Sequence, residues 1–403
     1  MSSRVVITGM GAVTPLGETL PASWPALIAG GEAEAPVEIF DTSGCRCHRA
    51  ATAKLPELPG LPAKLLRRLP RASRLAIPAV REALAGAGLL DPEGRSALPE
   101  LPFSVSTTAG AMALGENFLR GVRAGQRQRL LADAARYLPH QQVLDIQQAL
   151  GFSGPSVIVA NACASGANAI GHAAEMISSG MADCVLAGGF EALTELVFAG
   201  FDCLQATTTD KCRPFDVNRS GLLLGEAAAF VVLESEERAR ARGVRAICRL
   251  GGYGHTTDFF HLTQPEPNGR ALAEVMRAAA RQAGIAPGEI GYFNAHGTAT
   301  VINDIAEAKA CAAFLGDAFP AARISSTKAA IGHTLGAAGA IEAVFAIEAL
   351  RTGDLPPQLN LRTPIPEIAP ALVRGPEQRA GMRHVMSVNL GFGGSNAALI
   401  FSS

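Results

Sequence analysis

The chain has 403 residues, 48% of them apolar and 18% charged, with a formal net charge of -1. That length and apolarity suit one large or two fused domains around a sizeable core, and exclude a disordered or low-complexity scaffold. The balanced charge offers no positive field to a nucleic acid, and no apolar run approaches the roughly 20 residues of a membrane span.

In chain order, residues 4–8 (RVVIT) predict a buried strand entering a turn at Gly9 and Gly11. The segment lacks a basic stretch and a cleavage site, so no signal peptide is expected. Residues 52–64 read as loop and 71–88 as helix. Residues 103–107 predict a strand, and 113–137 an Arg-rich, partly helical region. A strand at 157–160 leads into an Ala-rich helix at 166–179. The strand at 184–187 is expected to stop at Gly188 and Gly189. A strand at 227–233 and a charged helix at 234–242 close this series. The second series runs strand 247–252, helix 269–284, strand 290–294, helix 304–314, strand 323–325, helix 336–350, and strands 385–389 and 397–400. Strands alternate with helices throughout, which predicts an α/β fold with parallel-rich sheets. The similar order of the two series predicts two related halves, 1–245 and 246–403.

The eight cysteines are scattered without a CxxC spacing. This predicts reduced thiols in the cytoplasm and neither a disulfide framework nor a zinc site. Cys45, Cys47 and His48 lie close in sequence, but without a second cluster they make no expected metal centre.

Four stretches carry chemistry. In Asn161-Ala162-Cys163-Ala164-Ser165-Gly166 a strand gives way to small residues and a helix, placing Cys163 at a helix N-terminus. The positive end of the helix favours thiolate, and free N–H groups there can hold an oxyanion. A small buried cysteine is the other reading of the same pattern. In Asn294-Ala295-His296-Gly297-Thr298-Ala299-Thr300 a strand end presents His296 among hydroxyls, where open α/β sheets bind ligands; a solvated loop histidine remains the alternative. In the stretch from Ser326 to Gly336, Lys328 and His333 occupy a small-residue loop before an Ala-rich helix. In Asn389-Leu390-Gly391-Phe392-Gly393-Gly394-Ser395-Asn396 a Gly-rich loop joins two strands, with Gly391 and Gly393 letting backbone approach a ligand and the Phe392 ring swing. It is no phosphate-binding P-loop, because GK[ST] before a helix is missing. One thiol and two imidazoles from separate loops suit Claisen chemistry on thioesters better than proteolysis.

With those residues in hand, the chain resembles the β-ketoacyl-[acyl-carrier-protein] synthases of the thiolase superfamily, elongating type II. The resemblance runs from RVVITGMGAVTPLG through ACASG, AGGFEA, RPFD, NAHGTAT and KAAIGHTLGAAGAIEA to NLGFGGSNAALIF, covering essentially the whole chain. It implies a duplicated thiolase fold in five layers, α-β-α-β-α, usually dimeric. It implies Cys163 as the acyl-accepting nucleophile, with His296 and His333 promoting decarboxylation of a malonyl extender and Lys328 supporting His333. The backbone N–H groups of Cys163 and Phe392 would form the oxyanion hole, with Phe392 also the gate. Thr298 and Thr300 match hydroxyls on the phosphopantetheine arm, and Thr108 a pocket position. Glu342 matches a buried glutamate near which members of the family sometimes bind a monovalent cation; no organic cofactor is implied.

The implied partners are an acidic acyl carrier protein and a second, identical or related, subunit. Lys64, Arg67 and Arg68 match a basic docking helix. Arg120, Arg123, Arg127 and Arg129 are either an extension of that patch or a solvated helix face.

The chain also departs from the family pattern. Ser220 stands where the family has Asp, Ala227 and Ala229 where it has Gly, and Val301 where it has Pro. The stretch from Phe201 to Arg213 is shorter. These changes leave the Cys-His-His set intact and point to an unusual acyl chain. A chain-length-factor-like subunit is disfavoured by Cys163, although this chain suits the active half of such a heterodimer. A degradative thiolase is disfavoured because Phe392 occupies the second-cysteine loop, and an initiating synthase because His333 replaces the expected Asn.

Overall fold

The computed structural model describes residues 4–126 and 131–403. The chain alternates strands β1 (Val5–Val13), β2 (Phe103–Ser106), β3 (Ser156–Val159), β4 (Cys184–Glu191) and β5 (Ala227–Ser235) with helices α1 (Arg71–Gly86), α2 (Pro139–Leu150), α3 (Ser165–Ser178) and α4 (Glu195–Cys203). It continues with β6 (Cys248–Thr257), α5 (Arg270–Ala283), β7 (Ile290–Asn294), α6 (Val301–Leu315), β8 (Ile324–Ser325), α7 (Ala338–Thr352), β9 (His384–Leu390) and β10 (Ser395–Ser402). The strands run β3-β2-β4-β5-β1 and then β6-β10-β9-β7-β8 across one continuous sheet. Adding five to each label of the first set gives the second set in mirror order. Strand senses repeat too: β3, β2 and β4 are parallel, as are β8, β7 and β9, and the other pairs within each set are antiparallel. Among the described residues, Val6 opposite Arg249 and Ile7 opposite Cys248 are the strand pairs that join the two sets.

Helices complete five layers. α1 and α2 cover the outer face of the first half-sheet, α5 and α6 that of the second, and α3 and α7 lie between the two. The outer cores are aliphatic and aromatic, with Leu75, Ile77, Phe103 and Phe230 on one side and Val275, Met276, Phe293 and Ile400 on the other. The middle layer is built differently. α7 is buried on every side from Ala338 to Ala349, which its Ala-rich sequence tolerates. A Cβ on Gly166 would lie 2.4 Å from the Ala340 nitrogen, and one on Gly339 would lie 2.4 Å from the Ala167 nitrogen. Glycine in the first turn of each central helix therefore lets the two N-termini nearly touch. Cys163 precedes one of these helices and His333 the other.

Several expectations need correction. β4 does not stop at Gly188 and Gly189 but runs through them to Glu191. Those glycines are there for packing: a Cβ on Gly188 would sit 2.1 Å from the Ala229 carbonyl, and one on Gly189 the same distance from Ser106 Oγ. The Arg-rich region is partly helical as expected, its described residues forming the helices Met112–Arg123 and Leu131–Arg136. Arg127 and Arg129 lie outside the described residues. The loop at 52–64 ends in a short helix, Ala63–Leu66. Among the described residues no helix is long and apolar enough to cross a membrane.

Candidate active site

The sulfur of Cys163 and ring nitrogens of His296 and His333 lie within 4.8 Å of one another, all three residues buried. The two imidazoles meet edge to face, with centroids 5.2 Å apart at 87°. Each residue arrives from a different chain segment. Cys163 sits in the tight turn between β3 and α3, where Ala162 is forced to φ +59. His296 follows β7, and its turn contains Ala299 at φ +65. His333 is followed by Leu335 at φ +49. Non-glycine residues avoid this region, and such strain concentrates where surrounding structure fixes a functional group.

Hydrogen bonds set both histidine tautomers. The Leu335 N–H donates to His333 Nδ1 at 3.2 Å, so the neutral ring carries its proton on Nε2. Lys328 Nζ lies 3.3 Å from His296 Nδ1, and an ammonium can only donate, so His296 also keeps its proton on Nε2. Burial first, and then the Lys328 charge, hold both imidazoles well below the usual histidine range. Both rings are therefore neutral N–H donors at physiological pH. The Lys328 ammonium is paired with Glu342, whose other oxygen accepts from Asn389 Nδ2 at 2.6 Å.

The thiol is not the expected thiolate. Burial pushes Cys163 up to about 11, opposed by the Lys328 charge and by the Phe392 N–H that points at the sulfur. Removal from water outweighs the helix end, so the resting group is a thiol. Alkylation of Cys163 by iodoacetamide is therefore expected to climb about tenfold per pH unit from about pH 7 to about pH 10. A plateau near neutral pH, followed by tryptic mass spectrometry, would contradict this.

Two buried carboxylates hold the frame, and neither figures among the residues singled out from sequence. Glu307 accepts the His296 and Gly297 N–H groups, each at 2.7 Å, while burial pushes it up to about 7. Glu191, at the end of β4, accepts from Thr107 Oγ1, from the N–H groups of Thr108, Ala109 and Gly110, and from the Gly336 N–H at 2.9 Å. It thus ties the loop after β2 to the turn that fixes the His333 tautomer. The Glu191→Ala variant is expected to lose about 3–5 kcal/mol of stability, because it strands several buried donors. Urea denaturation tests this, and a loss under about 0.5 kcal/mol would refute it.

The trio lies at the foot of a cavity of 310 Å³ that opens to solvent. Thr298, Thr300, Gly391 and Phe392 line it, and the hydroxyls of Thr298 and Thr300 stand 2.9 Å apart. Phe392 stacks on Phe201 at 5.5 Å. Ser220 and Val301, two of the departures from the family pattern, are in its wall. Two expected lining residues are not. Thr108 is exposed and its N–H is held by Glu191. Gly393 is exposed and donates its N–H to the Leu262 carbonyl. Lys64, Arg67 and Arg68 are exposed on and just after the helix Ala63–Leu66. Arg120 is engaged in an ion pair with Glu195 across to α4.

The surroundings of Glu342 fit a hard monovalent cation. Asn294 Oδ1 and Nδ2, Ser387 Oγ and Asn389 Oδ1 are buried without hydrogen-bond partners. Ser387 lies opposite Asn294 in the β9–β7 register, and Asn389 follows on the same face. Oxygen donors beside a carboxylate are what such an ion takes. Cys47 and His48 do not assemble a ligand set: Cys47 Sγ faces the Arg49 carbonyl, and His48 Nδ1 faces the Thr42 hydroxyl.

Comparison with known proteins shows the family. Residues 2–239 match the family described as beta-ketoacyl synthase, N-terminal domain, and residues 247–362 match its C-terminal domain. The chain is 35% identical over 408 residues to 3-oxoacyl-[acyl-carrier-protein] synthase 2 of Staphylococcus aureus (strain COL), covering 99% of this chain and 98% of that protein. It is equally similar, over 409 residues, to the enzyme of that name from Vibrio cholerae, with the same coverage. Among solved structures, the ishigamide ketosynthase/chain length factor superposes with a TM-score of 0.91 at 32% identity, covering 100% of both chains. A beta-ketoacyl synthase from Burkholderia phymatum superposes with a TM-score of 0.89 at 36% identity, covering 99% of each.

Proposed function

The chain belongs to the β-ketoacyl synthase family, and we propose that its chemistry runs through Cys163, His296 and His333. The reaction is decarboxylative Claisen condensation on carrier-bound thioesters. In the first half, Cys163 Sγ attacks the carbonyl of an acyl carrier protein thioester. The N–H groups of Cys163 and Phe392 hold the oxyanion, and the carrier leaves as its pantetheine thiol with the proton Cys163 gives up. In the second half, malonyl carrier protein enters past Thr298 and Thr300. The Nε2–H groups of His296 and His333 donate to its thioester oxygen, so the charge released by departing CO2 becomes a hydrogen-bonded enolate. The enolate carbon attacks the acyl-Cys163 carbonyl, the C–S bond breaks with its electron pair going to sulfur, and the Cys163 thiolate takes one proton from solvent. The products are 3-oxoacyl carrier protein and CO2.

The observation that carries this reading is the pair of fixed tautomers. Two neutral rings that both present N–H are built to stabilise an anion, not to relay a proton as a protease histidine does. Lys328 acts on His296 Nδ1 in this geometry, so we assign it to that ring and not to His333, which Leu335 already holds. A monovalent cation would be held by Glu342, Asn294, Ser387 and Asn389, where it would supply positive charge next to a buried carboxylate. We place the boundary between the halves at residue 245, and the enzyme in the cytoplasm on the strength of its free cysteines.

Ser220 and Val301 in the cavity wall favour a specialised acyl chain over ordinary saturated elongation. Unsaturated or aryl carrier thioesters are expected to load Cys163 at least about tenfold faster than saturated ones, and Ser220→Asp is expected to erode that preference. Intact-mass kinetics across a panel of acyl chains decides it. A profile identical to saturated fatty-acid elongation would sink the specialised role.

One observation favours a second subunit. Among the described residues β3 is an unpaired sheet edge with Val157 exposed, a surface suited to pairing with a like strand. Pairing with a related, inactive partner would make this chain the active half of a heterodimer in secondary metabolism. Co-expression with candidate partners and native mass spectrometry distinguish that from a homodimer.

A further inference from the structure

One wall of the active-site cavity hangs on a side chain that the reaction itself does not use. Asp202 lies in the last turn of α4 and is buried. A carboxylate there faces the negative end of its own helix, which disfavours it. Donors from outside the helix hold it instead. Oδ2 accepts the Arg46 N–H at 2.8 Å, while Oδ1 accepts the Cys47 N–H at 3.1 Å and the Thr207 hydroxyl at 2.8 Å. Burial raises the carboxyl, but the bonds from Arg46, Thr207 and Cys47 outweigh it and keep the group below the usual carboxylate range.

Those bonds fix the turn that leaves α4. Gln205 takes φ +55, and the Ala206 N–H returns to the Phe201 carbonyl at 3.1 Å. A non-glycine residue stays in the left-handed region only where its surroundings over-determine it. Phe201, Leu204, Gln205 and Ala206 all face the cavity from this turn. It opens the stretch that is shorter here than in the family pattern, so little slack chain is left to absorb a shift.

Phe201 is the residue before Asp202. Its ring stacks on Phe392, with centroids 5.5 Å apart and planes at 24°. The Phe392 N–H in turn points at the Cys163 sulfur. Glycines on both sides of Phe392 put no side-chain limit on where its ring lies, so the stack gives the ring its place. A line of contacts therefore runs from the backbone of Arg46 and Cys47, through Asp202 and Phe201, to the N–H of Phe392.

We propose that Asp202 is a positioning residue for acyl transfer: it anchors Phe201, whose ring holds Phe392 with its N–H aimed at the thioester oxygen. Decarboxylation draws on the Nε2–H groups of His296 and His333 and does not need this anchor. The inference deepens the reading of this chain as a synthase and rests on it.

The test uses the full chain as Asp202→Asn, which keeps the volume but sets an NH2 group against one of the backbone donors. Phe201→Ala and the double variant are made beside it. Loading of Cys163 is followed by intact mass, with the acyl carrier protein that loads wild type fastest. CO2 release from malonyl carrier protein is measured with no acyl donor present. Asp202→Asn is expected to load about tenfold more slowly, as for an oxyanion donor weakened but not deleted, with CO2 release not reduced. Phe201→Ala should slow loading as much, and the double variant no more than either single one, because both act through one line of contacts. Thr207→Val removes the hydroxyl bond alone and should give the same split at about threefold, which carries the test if Asp202→Asn does not fold. Equal losses in loading and CO2 release would make Asp202 a residue of the fold alone and overturn the proposal. Unchanged loading, or a double variant whose effects multiply, would overturn it too. Wild-type protein that neither loads nor releases CO2 would overturn the synthase reading, and the anchor with it.

Discussion

The Cys163→Ala variant is expected to form no acyl adduct with any carrier donor and to condense at least about 10⁴-fold more slowly than wild type, about 5.5 kcal/mol of lost transition-state stabilisation. No other thiol is placed to take the acyl chain. The remaining cysteines are Cys45, Cys47, Cys184, Cys203, Cys212, Cys248 and Cys311, and none of them lines the active-site cavity. Folding should survive, because Cys163 is small and only one sulfur is removed from a turn held by Ser165, whose hydroxyl accepts the Asn161 N–H at 2.8 Å. The informative part is what persists. His296 and His333 keep their tautomers from Lys328 and Leu335, not from the sulfur, so the variant should still release CO2 from malonyl carrier protein. The complementary variant, His333→Ala, should load Cys163 and release little CO2. Intact-mass analysis and a CO2 assay on the two proteins separate the half-reactions. An adduct on Cys163→Ala would move the nucleophile elsewhere, and loss of decarboxylation in the same variant would show that the thiol takes part in both halves.

The chemistry-bearing loops were legible because small residues between a strand and a helix leave few conformations and little reason for a cysteine or histidine except use. Strand-to-helix order was equally plain where short apolar or aromatic runs alternate with Ala-rich segments, as from Ile290 to Leu315. What the chain does not display is what packing decides. Gly188 and Gly189 read as a stop, yet they lie inside β4 because its neighbours approach within the radius of a methyl group. The helix Leu20–Ile28 is hidden by Pro21 and Pro25, tolerated near its start and within it. Glu191 looks like any acidic residue ending a strand, and only the folded chain brings Gly336 to it from 145 positions away. The thiolate expectation failed for a related reason. A helix N-terminus is visible in sequence, but the depth at which it is buried is not, and at Cys163 depth wins. Thr108 shows the limit of position matching, since its place in the chain fits a pocket residue while its side chain lies outside the cavity.

Lys328 is where stability and catalysis can be told apart. Its ammonium is almost wholly buried, paired with Glu342 and within reach of His296 Nδ1. Removing it alone, as in Lys328→Met, leaves the Glu342 carboxylate buried with Asn389 Nδ2 as its remaining hydrogen-bond donor. An uncompensated buried charge costs about 3–5 kcal/mol, so this variant should melt well below wild type. It should also lose at least about 10²-fold in kcat, because His296 Nδ1 has lost its donor and the ring can move its proton away from the substrate. The double variant Lys328→Met, Glu342→Gln removes both charges. If the pair served only the fold, stability and activity would return together. The geometry predicts that they part: much of the stability comes back, while kcat stays low, because a methionine cannot donate to His296. Tautomer-sensitive ¹⁵N shifts of His296 provide the direct readout, with Nδ1–H appearing in both variants and not in wild type. Recovery of kcat in the double variant would reduce Lys328 to a counter-ion and leave His296 to hold its own proton.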